Sequence, residues 1–379
     1  MKLFLKSTID SMHPWYKISD ENSIETPSLL LYPDRIKDNI KRMVAIAGNP
    51  ERLWPHVKSH KIAEIIQFHL DQNIRNFKCS TIAEAEMVAS CGVSGILLAY
   101  PISKSTVDRF IKLINKFPDT NWFALSDSEV SIMELNQKAG DAEVNISVFL
   151  DLNVGMDRTG IVPGQEALEL YKMIKSSSTL LNAGLHLYDG HIHQNELADR
   201  EAAVQNDYIK ANDFIEKLKQ NDLQIPHLIA GGTPTFPIHA KNPNFKLSPG
   251  TSLLWDYGYA SAFTDLKFEY AAVLVTRVVS KPGPNRLCLD LGHKAVASEM
   301  PHPRVYFPEI ENFEAETHSE EHLVIKTAQA DSWNIGDLVY AIPVHICPTT
   351  ALHETVQVVE KNEIIGQWKV VARKRHITI

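Results

Sequence analysis

The sequence predicts an α/β fold in which a (β/α)8 barrel of the TIM type is followed by an antiparallel β-domain. From residue 26 to 250, short apolar runs alternate with amphipathic stretches, which is typical of parallel strands joined by crossover helices. After about residue 264 the runs become short and β-branched, and turn signals such as 282–284 (Pro-Gly-Pro) separate them. No GxGxxG follows the first predicted strand, so a closed barrel is favoured over an open doubly wound sheet.

The first part of the chain has nine predicted strands, one more than the barrel requires. They are 28–32, 52–57, 76–80, 95–100, 121–126, 144–152, 181–188, 226–231 and 245–250. Either 28–32 belongs to another domain or one of the nine is not a strand. Helices are expected at 61–70 and 196–219. The strands of the β-domain are predicted at 269–280, 286–292, 304–307, 322–327, 337–344 and from 355 onward.

Composition excludes several classes of protein. With 44% hydrophobic and 22% charged residues, the 379-residue chain has a globular rather than a disordered composition. Its net charge is −8 and no dense Lys/Arg run occurs, so nucleic acid is not an expected partner. No stretch approaches the ~20 apolar residues of a membrane span. The four cysteines form no CxxC pair and the N-terminus has no signal-peptide pattern, so we expect a cytoplasmic protein.

A lysine flanked by two histidines follows the predicted strand at 52–57. In the sequence PHVKSHK, Lys58 lies where a barrel strand gives way to a loop, and catalytic groups of barrels gather at that end. A lysine held there among apolar walls and other cations can lose its proton near neutral pH and act as a Schiff-base nucleophile. The alternative is an ordinary surface lysine at the start of a loop.

Two glycine-containing turns end the last predicted barrel units. AGGTPT (230–235) and SPGT (248–251) offer backbone N–H groups and threonine hydroxyls to an anion. A phosphate site late in a barrel is a recurrent arrangement, and two such turns in succession favour it over two merely tight turns.

Further polar groups follow the long strands in the middle of the barrel. Arg158, in DLNVGMDRTG, could pair with a carboxylate, a phosphate or a ring oxygen, although a loop arginine on a surface carboxylate is the alternative. The segment GLHLYDGHIH supplies His186, Tyr188, His191 and His193 at a strand end, where such groups can hydrogen-bond and exchange protons.

The β-domain contains one pair of possible metal ligands. In PVHICPTTALHE, His345 and Cys347 are two residues apart, so in an extended chain both side chains would project from one face. An imidazole and a thiolate suit Zn²⁺, and two protein ligands would leave coordination positions open. The alternative is a buried cysteine beside a polar histidine.

These motifs, in this order, resemble the D-threonine aldolase and D-serine dehydratase family of pyridoxal-phosphate (PLP) enzymes, which has the alanine racemase-like fold (PLP fold type III). The resemblance covers nearly the whole chain after residue 25, and PHVKSHK early with HxCPT late is its most specific part. It implies a barrel at 33–262 that binds PLP, a C-terminal β-domain at 263–379 that carries the metal site, and an N-terminal segment, 1–32, that packs with the β-domain.

The resemblance also implies roles for individual residues. Lys58 matches the lysine that binds PLP covalently, and His345 and Cys347 match the metal pair beside the substrate hydroxyl. The remaining positions expected to bind the cofactor are His56, Arg158, His186, Tyr188, Gly231, Gly232, Thr233, Gly250 and Thr251. Besides Lys58, His193 is the expected catalytic residue, as the base of an aldol cleavage. The metal is expected to be zinc, with manganese possible, and the protein is expected to be a homodimer.

The family pattern leaves the reaction open between two outcomes. Cys347 matches the dehydratase branch, since the aldolase branch typically has Asp there, whereas His186 and His193 replace tyrosines usual in dehydratases. We therefore expect a lyase on D-3-hydroxy amino acids, either a dehydratase giving a keto acid and ammonia or an aldolase giving glycine and an aldehyde, with dehydration favoured. The alternatives are an amino-acid racemase, a non-enzymatic PLP-binding protein and a metal-dependent hydrolase.

Overall fold

The computed structural model describes residues 14–379, in which the strands form two sheets and the helices pack around them. The strands are β1 (Ser28–Leu31), β2 (Asn76–Cys79), β3 (Gly95–Leu98), β4 (Asn121–Ser126), β5 (Ile146–Leu152), β6 (Leu180–Leu187), β7 (His227–Ala230), β8 (Phe245–Leu247), β9 (Ala272–Ser280), β10 (Arg286–Leu289), β11 (Val305–Tyr306), β12 (Glu314–His318), β13 (Leu323–Lys326), β14 (Leu338–Pro343), β15 (Thr355–Glu360) and β16 (Glu363–Lys369). The helices are α1 (Pro33–Ala47), α2 (Ala63–Asp71), α3 (Ile82–Ala89), α4 (Ser105–Lys116), α5 (Glu129–Asp141), α6 (Gln165–Ser176), α7 (Leu197–Asp207), α8 (Ile209–Gln220), α9 (Phe236–Ala240), α10 (Tyr257–Ala262) and α11 (Ile346–Leu352).

A curled parallel sheet forms the barrel. Strands β2 to β8 pair in sequence order, each parallel to the next. The segment 53–56 joins the two ends of this sheet, because Leu53 bridges Leu247 of β8 and His56 bridges Lys78 of β2, both in parallel. This segment was predicted as a strand; it makes isolated bridges only, and Pro55 within it has no N–H to donate to a ladder. The predicted barrel is confirmed.

Helices cover the outside of the barrel, and one prediction about them was wrong in detail. The predicted helix at 61–70 is α2, but the stretch 196–219 is two helices, α7 and α8, which meet at Tyr208. The ψ of Tyr208, −1°, differs from the roughly −42° of an ideal α-helix, and its buried ring packs on His239 with 4.8 Å between the ring centroids. No helix in residues 14–379 is long and apolar enough to span a membrane.

A β-bulge shapes the strand that carries His186. Val148 of β5 pairs with Asn182 and Phe149 pairs with Gly184, so β6 has one extra residue at this point. Gly184 has a φ of +115°, and a Cβ on it would lie 2.0 Å from the carbonyl oxygen of His227 in β7. Only glycine permits both this backbone conformation and this approach of the two strands.

The second sheet is antiparallel apart from one pairing, and it includes the first strand of the chain. Its main order is β12-β13-β10-β9-β1-β15-β16, and β14 pairs with β9 and β11. The run at 28–32 is thus β1 of this sheet, antiparallel to β9 and parallel to β15. Residues before β1 also contact this sheet, since the Ile18 N–H donates to the Tyr340 hydroxyl at 3.1 Å. Residues 1–13 of the predicted N-terminal segment lie outside the described residues. The sequence analysis missed β12, which is mostly polar and lacks an apolar alternation.

The Gly184→Ala variant should lose roughly 3 kcal/mol or more of unfolding free energy, because the methyl group would meet the β7 backbone in a strained conformation. The matched control is Gly140→Ala in α5, where a Cβ would have only ordinary contacts, and we expect it to gain about 0.5–1 kcal/mol. Urea unfolding followed by circular dichroism measures both. Equal stability of the two variants would contradict the assigned β6–β7 register.

Candidate active site

Lys58 lies at the carboxyl-end rim of the barrel, next to the segment that closes the ring. It occupies a short 3-10 turn, Val57–Ser59, and its side chain is half-buried. Lys58 borders a cavity of about 510 Å³. The other predicted site residues that line this cavity are His56, Arg158, His186 and Tyr188. The structure therefore brings together groups that are separated by up to 132 positions in the sequence.

Three cations surround the ring of Tyr188. Lys58 Nζ lies 5.9 Å, Lys78 Nζ 5.2 Å and Arg158 Cζ 5.1 Å from the ring centroid. Each is within the range of a cation–π contact, but the positive charges repel one another. A cavity with this charge distribution favours an anionic ligand next to the Tyr188 ring.

Lys78 was missed by the sequence analysis. It lies within β2, is 3% exposed and lines the cavity. Burial and the neighbouring Lys58 lower its pKa to about 7. The signal in the sequence was a lysine between Phe77 and Cys79 in a predicted parallel strand, where both faces are buried and a charged residue is unusual.

Two neutral imidazoles line the same cavity. His186 Nδ1 is 2.6 Å from Asp151 Oδ1, whereas its Nε2 is buried without a hydrogen-bond partner. Burial and Lys78 lower the pKa of His186, and burial and Lys58 hold the pKa of His56 well below its usual value. His56 Nδ1 accepts a hydrogen bond from the Lys58 N–H at 3.3 Å. These imidazoles therefore contribute polar walls without adding further positive charge.

The two predicted anion-binding turns meet at Thr233. Its hydroxyl oxygen accepts hydrogen bonds from the backbone N–H groups of Gly250 (3.0 Å) and Thr251 (3.1 Å). A Cβ on Gly250 would lie 3.2 Å from the carbonyl oxygen of His56, so the second turn lies directly against the segment before Lys58. Gly231, at φ +76°, has no space for a Cβ, because the ring of His239 would be 2.6 Å away. Gly232 donates its N–H to Thr235 Oγ1 at 3.2 Å.

The two predicted metal ligands lie at the start of a helix, which corrects the extended conformation assumed from the sequence. His345 caps α11 and Cys347 is in its first turn, where Pro348 is tolerated because the N–H at that position needs no helical partner. His345 Nδ1 lies 2.5 Å from Glu299 Oε1, and Cys347 Sγ lies 3.3 Å from Thr251 Oγ1. Although burial lowers the pKa of His345, its hydrogen bond to Cys347 and that group's charge raise it to about 9. In residues 14–379 no cluster of three or more His, Cys, Asp or Glu side chains could hold a metal.

Asp256, which the sequence analysis also missed, ties α11 to the end of the barrel. Its Oδ2 accepts from the Ile346 N–H at 3.0 Å, and its Oδ1 accepts from the Tyr259 N–H at 2.9 Å. Burial raises the pKa of Asp256 to about 6. An aspartate directly before the helical segment 257–262 is a capping signal that could have marked it.

A second cavity connects the two groups of predicted residues. It has a volume of about 380 Å³ and is lined by both Lys58 and Cys347. Lys58 thus borders the cavity of the cation cluster and the cavity that reaches α11.

The two histidines of the loop after β6 lie elsewhere. His191 Nε2 is 2.8 Å from Asp207 Oδ2. His193 is exposed, is not among the residues that line either cavity, and makes no hydrogen bond within the described part of the chain. Its catalytic role stays a prediction.

Family models agree with this architecture. The model "Alanine racemase, N-terminal domain" matches residues 32–257, and the model "Putative serine dehydratase domain" matches residues 271–359. The first of these covers more than half of the chain. The chain belongs to the alanine racemase N-terminal domain family.

Curated relatives and solved structures within this family cover nearly the whole chain. A D-threonine aldolase of Arthrobacter sp is 24% identical over 92% of this chain and 93% of its own length. A D-serine dehydratase of Dictyostelium discoideum is 25% identical over 92% of this chain and 97% of its own length. Among solved structures, D-threonine aldolase from Filomicrobium marinum superposes with a TM-score of 0.86 at 24% identity, over 92% of this chain and 95% of that one. The resemblance predicted from the motifs is confirmed.

The Thr233→Val variant should lower the free energy of unfolding by about 1–3 kcal/mol, because it leaves two N–H groups of the second turn without their acceptor. Thr233→Ser retains the hydroxyl and should stay within about 0.5 kcal/mol of the parent protein. Urea unfolding of the two variants checks this. A serine variant as unstable as the valine variant would show that the hydroxyl bridge contributes nothing.

Proposed function

We propose that this protein is a PLP- and divalent-metal-dependent lyase that acts on D-3-hydroxy amino acids. The observation that carries the proposal is the position of Lys58, which borders one cavity with the Tyr188 cation cluster and another with Cys347. A reacting group at Lys58 is therefore accessible both from a site suited to an anionic aromatic cofactor and from a site with soft metal ligands.

The residues present fit PLP. A lysine amine lies at the rim, two glycine turns with little space for a Cβ meet beside it, and the unpartnered Nε2 of His186 is buried at the cavity wall. The turns around Gly250 and Thr233 would hold the phosphate, Arg158 and Tyr188 would lie against the ring, and Lys58 would hold the cofactor covalently. When bound, PLP supplies an electron sink for the Cα of the amino acid.

His345 and Cys347 also fit a metal, since the N-cap residue and the first turn of α11 offer an imidazole nitrogen and a cysteine sulfur, which together form a soft donor pair. We propose zinc, with manganese as the second choice. A related enzyme supports the assignment: a cysteine-to-alanine variant of D-threo-3-hydroxyaspartate dehydratase from Delftia sp. HT23, whose structure superposes with a TM-score of 0.79 at 17% identity, has been solved in a metal-free form. A metal on this pair would act as a Lewis acid towards the substrate hydroxyl.

In the dehydration, the amine of Lys58 would be free once the substrate amine had replaced it on the cofactor. It would then take the proton from Cα, and the hydroxyl group on the neighbouring carbon would leave as hydroxide. In the alternative, aldol cleavage, His193 is the proposed acceptor of the hydroxyl proton. His193 is exposed and its ring makes no hydrogen bond within residues 14–379, so it could accept a proton, but it lies outside the two cavities. Cys347 favours dehydration, whereas two of the relatives that match along the whole chain, the D-threonine aldolase and a 3-hydroxy-D-aspartate aldolase of Paracoccus denitrificans, are named aldolases.

A second candidate function is amino-acid racemisation, which the matched N-terminal family model favours. A racemase would use Lys58 and the two turns but would have no need of the His345–Cys347 pair. We further propose the domain boundaries 33–262 and 263–379 with 1–32 joined to the β-domain, a homodimer, a cytoplasmic location, and no membrane or nucleic-acid partner. The pairing of β1 with β9 and β15 supports the boundary at residue 32.

The reaction is tested by incubating the purified, metal-replete protein separately with D-serine, D-threonine and D-threo-3-hydroxyaspartate. We expect a keto acid and ammonia from at least one of them. Glycine and an aldehyde instead would assign the aldolase reaction and show that the cysteine ligand does not decide the outcome. Racemisation without either set of products would contradict the lyase proposal.

The role of the metal pair is tested by Cys347→Ala. We expect at least a 100-fold lower kcat/KM for the lyase reaction and loss of bound metal, with the PLP absorbance band retained. Cys288→Ala, in β10 of the antiparallel sheet and outside both cavities, is the matched control and should keep full activity. Unchanged activity of Cys347→Ala would remove the metal from the proposed function.

A further inference from the structure

The ammonium group of Lys78 has no hydrogen-bond or ion-pair partner among residues 14–379. Its side chain lines the cavity beside the Tyr188 ring and is 3% exposed, and no carboxylate or hydrogen-bond acceptor lies within bonding distance of its Nζ. A buried ammonium without a partner destabilises a protein by several kcal/mol, so it is seldom retained for structural reasons alone.

The two carboxylates that raise the pKa of Lys78, Asp151 and Asp189, already have hydrogen-bond partners. Asp151 accepts hydrogen bonds from His186 and Thr159 at 2.6 and 3.0 Å. Asp189 Oδ1 accepts a hydrogen bond from the Thr235 hydroxyl at 2.9 Å, and its Oδ2 lies 2.6 Å from His239 Nε2. Neither makes an ion pair with Lys78. Their charges act on Lys78 only from a distance, and an anion bound in the cavity would supply the close contact that they do not.

The position of Arg158 indicates where that charge lies. Lys78 Nζ and Arg158 Cζ lie at nearly equal distances, 5.2 and 5.1 Å, from the same ring centroid of Tyr188, and both line the cavity. Both side chains therefore bring positive charge into the same cavity, and an anion bound there would offset their mutual repulsion. The predicted phosphate turns at 231–235 and 250–251 account for a different anion of the cofactor.

We propose that Lys78 and Arg158 together bind an anionic oxygen of the molecule that occupies the Tyr188 cavity. The oxygen is either the ionised ring hydroxyl of PLP or the carboxylate of the amino acid substrate. This inference rests on the proposed function for the identity of the molecule. Lys78 is then a second lysine of the site that acts by charge, beside Lys58, which acts by covalent attachment.

Lys78 interacts electrostatically with six charged or titratable groups around it: Lys58, Arg158, His56, His186, Asp151 and Asp189. Because the pKa of Lys78 is about 7 in the fold and near 10.5 in an unfolded chain, its burial destabilises the ligand-free protein most below pH 7. That destabilisation disappears as the pH rises from 7 towards 10.5. A bound anion should remove it.

The test compares Lys78→Met with Lys246→Met, which removes a lysine from barrel strand β8 outside both cavities. PLP affinity is measured by absorbance titration, and KM is measured with whichever D-3-hydroxy amino acid the protein turns over. If the anion belongs to the cofactor, Lys78→Met raises the PLP Kd at least tenfold. If it belongs to the substrate, the variant raises KM at least tenfold while the PLP Kd stays within twofold. Lys246→Met should change neither.

Melting temperatures of the full chain without and with PLP supply a measurement that needs no turnover. Without PLP, Lys78→Met should melt several degrees above the parent protein at pH 6, and this gain should shrink at pH 9. PLP binding altered by Lys78→Met in a protein that yields no lyase products would support this inference while refuting the proposed reaction. The inference is overturned if Lys78→Met lowers the ligand-free melting temperature, or if PLP Kd and KM both stay within twofold of the parent.

Discussion

The closure of the barrel by residues 53–56 is the constraint on which the site depends. The backbone N–H of Trp54 donates to the carbonyl oxygen of Leu247 at 2.8 Å, and that of His56 donates to the carbonyl oxygen of Pro249 at 2.9 Å. The backbone N–H of Lys78 donates to the carbonyl oxygen of Pro55 at 3.0 Å. These bonds hold one short segment between the last strand and the first paired strand of the parallel sheet. Since parallel strands end at the same rim, the closure places Lys58 beside the turns after β7 and β8 and beside the side chains of β2.

The second sheet completes the site through a few backbone contacts. Asp256 accepts the N–H of Ile346, and the Gly258 N–H donates to the carbonyl oxygen of Val344 at 3.1 Å. A Cβ on Gly258 would lie 2.4 Å from that oxygen, so the close approach requires glycine. In this way α11 begins at the edge of the barrel rim, and Cys347 reaches a cavity that it shares with Lys58.

The sequence predicted the order of the barrel strands well because both faces of a parallel strand are buried and leave continuous apolar runs. It also predicted which motifs lie at the rim, since Lys58, Arg158 and the two glycine turns each follow such a run. Tyr208 and α11 show where the prediction failed. Tyr208 divides a charged helical stretch through a tertiary contact with His239, and α11 forms where a Pro348-containing segment was predicted to be extended.

Lys78 and Asp256 could not be assigned roles from the sequence, because their roles depend on which distant residues surround them in the fold. A lysine in a strand becomes informative only when its ammonium is seen buried without a carboxylate, and an aspartate before a helix becomes a connector only when Ile346 is seen to donate to it. The contact of Lys78 with the Tyr188 ring and that of Asp256 with Ile346 each join segments that are far apart in the chain. Local patterns give no information on such pairs, whereas the motif order that marks the family could be recognised in the sequence itself.

The central claim is that Lys58, at the junction of the two cavities, holds PLP. Borohydride reduction of the purified yellow protein, followed by peptide mapping, tests it most directly. The account predicts loss of the visible absorbance band and a single pyridoxyl adduct on Lys58, with Lys78 unmodified. An adduct on Lys78 or on any other lysine would contradict the assignment, and a colourless protein that yields no adduct after incubation with PLP would contradict the account as a whole.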